Sequence, residues 1–142
     1  RIGDGWKVAT TTLLYERSTA FAATVIGLQR ILAELAEKHR ADVVLSHRIR
    51  ELRDDANAAR ALLYKSVSEQ NEGGEPGPAS GALKLIATEL NHEVRKLAVL
   101  AGETDAEPYF TSFGLRIGGG TSEIQRNILA ERVLGLPREP RR

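Results

Sequence analysis

Apolar residues recur along this chain at intervals of three, four and seven, the spacing of amphipathic helices. Leu14, Phe21, Val25, Leu28, Leu32 and Leu35 form one stripe and predict a single long helix from about Trp6 to Glu37. Gly27 falls inside it, where glycine lowers helix propensity and close helix packing would justify its presence. A second stripe, Leu45, Ile49, Leu52, Ala56, Ala59, Leu63 and Val67, predicts a helix to about Ser68 with Asp42 as N-cap. The breaker-rich run from Glu72 to Ser80 must end it. Leu83, Ile86, Leu90, Val94 and Leu97 then mark a third helix, closed by Gly102 just past its C-terminus. The segment from Glu103 to Gly120 holds Pro108, Gly114 and three consecutive glycines, and reads as loop. Ser122 and Gln125 fit a capping box that opens a last helix through Ile124, Ile128 and Leu129 to Leu134, before Gly135 and Pro137. No segment alternates as a strand does. The expected fold is all-α, an antiparallel four-helix bundle of three long helices and a shorter fourth.

Composition narrows the chemistry. Twenty basic residues against nineteen acidic ones leave a formal charge of +1 in 142 residues. That argues against a nucleic-acid binder, which needs a basic face to displace counterions from phosphates. Arg138, Arg141 and Arg142 read as a solvated tail. The absence of cysteine removes disulfides, thiolate nucleophiles and thiolate metal ligands. His39, His47 and His92 lack metal-ligand spacing, so no metal site is expected. His47 with Glu51 reads as a solvated i,i+4 pair, and Arg48 to Arg53 as the wet face of the second helix. No apolar run reaches the roughly 20 residues of a membrane span and no signal peptide opens the chain, so a cytoplasmic protein is the default. The chain has no methionine and opens in mid-phrase at Arg1-Ile2-Gly3-Asp4-Gly5, which predicts a piece of a longer protein.

One segment stands out for chemistry. Gly118-Gly119-Gly120-Thr121-Ser122-Glu123 puts glycines, which allow close backbone approach, before a helix N-terminus with free N–H groups and partial positive charge. Such a place suits an anionic ligand, and it equally suits a flexible start to a helix. Its spacing matches neither the dinucleotide fingerprint nor the P-loop.

The stretch from Ile117 to Arg138, I-G-G-G-T-S-E-I-Q-R-N-I-L-A-E-R-V-L-G-L-P-R, resembles the C-terminal signature of bacterial acyl-CoA dehydrogenases. The opening Gly5-Trp6-Lys7-Val8-Ala9, with Leu14-Tyr15-Glu16-Arg17 after it, is similar to the start of that family's C-terminal helical domain. The resemblance implies that residues 1–142 are this domain, without the N-terminal helical and middle β domains of a complete subunit. It implies FAD as cofactor, an acyl-CoA thioester as substrate, and an electron-transfer flavoprotein or similar acceptor. A glutamate base takes the α proton while the β hydrogen leaves as hydride to the flavin. In many members the base immediately precedes G-T-S, a place held here by Gly119, which has no side chain. In a second group it lies on the first long helix before an arginine, and Glu16 occupies that place. Spacing alone reads Glu16 as a surface glutamate paired with a neighbouring arginine; the resemblance makes it the catalytic candidate. It would need a partly dry pocket that raises its pKa toward neutrality. By the same resemblance Leu14, Arg17 and Gly120 match the acyl-CoA site, and Thr121, Ser122 and Glu123 match the segment touching FAD. Helix capping is the plainer role for those last three, and it is compatible with ligand contact.

Two departures from the family bear on partners. Homotetrameric members carry an arginine and an F-G pair between the first two helices, and a Q-x-x-G-G segment after the third. Both grip the adenine end of a neighbouring subunit's FAD. Here the first junction reads Lys38-His39-Arg40-Ala41-Asp42-Val43-Val44, and Ala98 stands where the glutamine is expected. The pattern implies a hetero-oligomer, a heterotetramer with a second acyl-CoA dehydrogenase-like subunit that supplies the missing grip. Some actinobacterial dehydrogenases acting on CoA thioesters of sterol side chains are similar to this arrangement, so a steroid side-chain or fatty acyl-CoA is the implied substrate. A non-catalytic structural subunit, and a fold relative running another flavin reaction, are the competing readings. The isolated chain is expected to be colourless and inactive.

Overall fold

The computed structural model describes residues 3–16, 20–72 and 78–138, and for residues 10, 13–16, 78 and 79 the backbone alone. Six helices fill the described residues: α1 (Gly5–Glu16), α2 (Ala22–Lys38), α3 (Val43–Asn71), α4 (Pro78–Leu100), α5 (Glu107–Ile117) and α6 (Ser122–Arg132). The fold is all-α, and no described helix is long and apolar enough to cross a membrane.

Three of the predicted stripes become the core. Val25, Leu28, Leu32 and Leu35 of α2 meet Ile49, Leu52, Ala56, Ala59 and Leu63 of α3 and Leu83, Ala87, Leu90, Val94 and Leu97 of α4, all buried. The Gln29 amide donates to Asn57 Oδ1 at 3.1 Å and the Ser46 hydroxyl to the His39 carbonyl at 3.0 Å, so α2 and α3 run antiparallel. Arg48 Nη2 to Glu93 Oε2 at 3.0 Å and Ser66 Oγ to Ser80 Oγ at 2.8 Å fix α3 antiparallel to α4. Asp42 caps α3 as expected, accepting the Leu45 N–H at 2.9 Å. Gly102, at φ +73°, closes α4: its N–H bonds the Val99 carbonyl and the Glu103 N–H bonds the Ala98 carbonyl. This is the paired C-terminal capping pattern that a left-handed glycine permits.

Three expectations need correction. The first long helix is two, α1 and α2, with a turn at Ala20 and Phe21. A seven-residue step from Leu14 to Phe21 matches two helical turns whether or not the helix is continuous, so periodicity cannot detect the break. The segment read as loop from Glu103 to Gly120 contains α5. Pro108 sits in its first turn, where no N–H is required, so the proline starts the helix instead of breaking it. Finally, Thr121 rather than Ser122 is the N-cap of α6, accepting the Ile124 N–H at 3.4 Å, and Gln125 does not close a capping box.

α5 and α6 both run antiparallel to α4. His92 meets Ser112 and Glu89 meets Arg116 on α5, while Glu89 meets Ser122 and Gly81 meets Leu129 on α6. α5 therefore covers the C-terminal half of α4 and α6 the N-terminal half. Together they form the fourth member of the bundle, interrupted at Gly118–Gly120.

Candidate functional site

The interruption is built by a second, polar stripe on α4. Lys84, Thr88, Asn91 and His92 recur at helical spacing and are buried, on the side away from α3. Lys84 has no exposed surface; its ammonium donates to the Gly120 carbonyl at 2.6 Å and the Arg116 carbonyl at 3.4 Å. Those are carbonyls at the end of α5 and in the break, which lack helical partners. The Gln125 amide, also buried, donates to the Gly119 carbonyl at 3.0 Å. Its Oε1 is buried without a partner among the described residues. Gly119 and Gly120 have φ of +67° and +104°, left-handed conformations that side chains resist. A Cβ at Gly119 would find nothing within 4 Å. The position is sterically open, while its backbone favours glycine.

Glu89 ties the two short helices to α4. Its carboxylate takes Arg116 in a two-pronged pair, Nε at 3.1 Å and Nη2 at 3.1 Å, and accepts the Ser122 hydroxyl. Burial pushes the Glu89 carboxyl up, but the Ser122 hydroxyl and the Arg116 guanidinium outweigh it and hold it below the usual range. His92 Nδ1 lies 2.9 Å from Ser112 Oγ, and its ring packs against Tyr109 and Phe113. Burial and the nearby Arg116 charge lower its pKa, favouring the neutral ring.

The residues singled out from sequence divide into two groups. Gly120, Thr121, Ser122 and Glu123 lie together at the break. Thr121 is occupied as N-cap, Ser122 by Glu89, and the Glu123 carboxyl is held low by its own backbone N–H and the Thr121 hydroxyl. Glu16 and Leu14 end α1, and their side chains lie outside the described residues, as does Arg17 altogether. Beyond them, Ala20, Phe21 and Thr24 form one wall of a groove of about 330 Å³ whose other walls are Lys84, Gly114, Leu115, Gly118 and Gly119. The turn at Ala20 and Phe21, which begins four residues beyond Glu16, thus shares a groove with the glycine break. Sequence reading missed Lys84, Glu89 and Arg116, and assigned Gln125 to a capping box instead of to the Gly119 carbonyl.

At the far end of α2 the two junctions that depart from the family pattern also meet. Lys38 Nζ pairs with Glu103 Oε2, and His39 Nε2 lies 3.0 Å from Glu103 Oε1. The Lys38 ammonium, then His39, keep the Glu103 carboxyl low, and Glu103 in turn raises Lys38. His47 lies 3.5 Å from Glu51 as a solvated pair, whereas Arg48 reaches Glu93 across to α4 and is not simply on a wet face. Among the described residues no group of three or more His, Cys, Asp or Glu could hold a metal ion.

The model of the acyl-CoA dehydrogenase C-terminal domain matches residues 3–134. This chain belongs to the acyl-CoA dehydrogenase family. It is similar to acyl-CoA dehydrogenase FadE34 of Mycobacterium tuberculosis, 33% identical over 96% of this chain and 20% of the relative. It is likewise similar to acyl-CoA dehydrogenase IpdE1 of M. tuberculosis and of Mycolicibacterium smegmatis, each 32% identical over 96% of this chain and 40% or 38% of the relative. The chain thus spans between a fifth and two fifths of the length of these relatives. No solved structure matches it significantly.

Proposed function

We propose that this chain is the C-terminal helical domain of a subunit that dehydrogenates an acyl-CoA thioester between its α and β carbons. Glu16 is the base that removes the α proton. The observation that supports this reading is the groove in which Gly118 and Gly119 face Ala20 and Phe21: none of its described lining residues carries a carboxylate, and Glu16 precedes Ala20 by four positions in the sequence. Leu14, Arg17 and Gly120 line the acyl-CoA, with the arginine supplying positive charge near the thioester. The open space at Gly119 and the left-handed glycines fit the close approach of a flat cofactor, and Thr121, Ser122 and Glu123 border it. FAD, when bound, supplies the hydride acceptor for the β hydrogen. The chain's own part is to hold that edge rigid: Lys84 and Gln125 fix the glycine carbonyls, and Glu89 fixes Ser122.

The functional unit in this reading is a cytoplasmic heterotetramer with a second dehydrogenase-like subunit, acting on a steroid side-chain or fatty acyl-CoA and passing electrons to an electron-transfer flavoprotein or similar acceptor. The closure of the two junctions by Lys38, His39 and Glu103 supports an unlike partner, because those groups satisfy one another within the chain. The same observation favours a second reading, a non-catalytic structural subunit.

One experiment separates them. The complete subunit carrying this chain is co-expressed with its partner, and flavin bleaching is monitored on addition of acyl-CoA. Glu16→Gln should retain the yellow flavin and lose bleaching. Bleaching at an undiminished rate in that variant assigns the chain a structural role instead.

A further inference from the structure

The groove beside the glycine break continues along the seam of α2 and α4. Thr24 and Leu115 also border a second cavity of about 300 Å³, lined on α2 by Ala23 and Gly27, on α4 by Asn91 and Arg95, and on α5 by its first turn at Glu107 and Pro108. Three features of this stretch concern anions. Arg95 is half-buried, yet it makes no ion pair or hydrogen bond among the described residues. Of the acids along the same seam, Glu34 pairs with Arg30 and Glu103 with Lys38 and His39, while Glu107 at the cavity accepts the Thr111 hydroxyl. Asn91, one helical turn before Arg95 and on the same face, is only 5% exposed and has no hydrogen-bond partner among the described residues. The α5 N-terminus beside them has no side-chain cap: Pro108 has no N–H and the Phe110 N–H bonds the Ala106 carbonyl, which leaves the Glu107 and Tyr109 N–H groups, with the Glu107 carboxylate in the same turn. The Asn91 amide and the Arg95 guanidinium both border the cavity with no protein partner among the described residues, so both can engage a ligand there. Gly27 adds room: a Cβ there would find nothing within 4 Å, so helix packing does not explain the glycine.

The geometry points to an oxyanion site of phosphate class, formed by Arg95, Asn91 and the first turn of α5, with Gly27 opening the opposite wall. Counted along α4, it lies eleven residues, about 16 Å, from Lys84 at the glycine break. Its test needs neither flavin nor acyl-CoA. Phosphate could arrive as the free ion or as an ester, and the two are titrated separately.

NMR titration of the full chain with inorganic phosphate, and in parallel with glycerol 3-phosphate, should give saturable shifts at Arg95 Nε–H, the Asn91 side-chain amide and the Tyr109 backbone amide, with a Kd of about 1 mM. Tighter binding of the ester assigns the site to a phosphorylated small molecule, and equal binding to the ion itself. Arg95→Gln should weaken both by about tenfold or more, Arg95→Lys should retain most of the binding, and Gly27→Leu should block it. Lys38→Gln should leave it unchanged. Unaltered helical circular dichroism in each variant excludes misfolding as the cause. Absence of saturable shifts, equal binding by Arg95→Gln, or a response to acetate but not phosphate overturns the proposal.

Discussion

The two faces of α4 are buried alike but built differently. Toward α2 and α3 the helix presents Leu83, Ala87, Leu90, Val94 and Leu97 to an apolar core. Toward α5 and α6 it presents Lys84, Glu89 and His92: Lys84 meets the Arg116 and Gly120 carbonyls, Glu89 meets the Arg116 guanidinium and the Ser122 hydroxyl, and His92 meets Ser112. Apolar contacts are non-directional, so the first face supplies stability and tolerates small shifts. Buried polar pairs are directional and costly when incomplete, so the second face fixes geometry more than it stabilises. What it fixes is the Gly118–Gly120 break, the edge of the groove. In this molecule the stabilising face and the site-shaping face lie on opposite sides of one helix.

The largest expected effect lies on the apolar face. Leu52→Ala or Leu28→Ala should destabilise the fold by about 2–5 kcal/mol in denaturant unfolding, with hydrogen exchange at the glycine break rising only as the global stability falls. Lys84→Met should show the reverse balance. Orphaning the Gly120 and Arg116 carbonyls costs about 1–3 kcal/mol, and the change in exchange should be confined to the end of α5 and the start of α6. If Lys84→Met loosened α2 and α3 equally, the division of labour between the faces would be wrong.

The pH response comes next in size. Burial lowers the His92 pKa in the fold, whereas an unfolded histidine titrates near about 6.5. Just below that value the unfolded chain binds the extra proton, so stability present above it is lost as pH falls through it. Denaturation midpoints at about pH 7.5 and about pH 5.5, either side of that value, should differ in the native chain and converge in His92→Phe. The lowered carboxyls of Glu89 and Glu103 act in a separate, more acidic window, below the usual glutamate value, so they do not confuse the test. The smallest effect is a gain. Gly27→Ala should stabilise α2 by about 0.5–1 kcal/mol, because the methyl meets open space; a loss there would mean the groove closes in solution.

Much of the apolar face was legible in the sequence, since Leu28, Leu32, Leu52, Leu90 and their neighbours announce themselves by period. Asp42 and Gly102 were legible because caps have local chemistry. The polar face was not, because a buried lysine such as Lys84 and a surface lysine look the same until a partner is known. Pro108 and Gly114 concealed α5, as breakers do when they fall in a first turn or on an exposed side. The turn at Phe21 escaped notice because it preserves the helical period. The glycine run itself was legible as a site, but the residues that hold it came from α4, some 30 positions earlier.

The central claim is that the carboxylate missing at Gly119 is supplied by Glu16 across the groove. Proton exchange at the substrate α carbon tests this most directly, without requiring turnover. The complete subunit and its partner are incubated anaerobically with an acyl-CoA in deuterated water, and deuterium at the α carbon is read by mass spectrometry. Base action by Glu16 predicts exchange in the native complex and none above background in Glu16→Gln with flavin still bound. Undiminished exchange in that variant would contradict it.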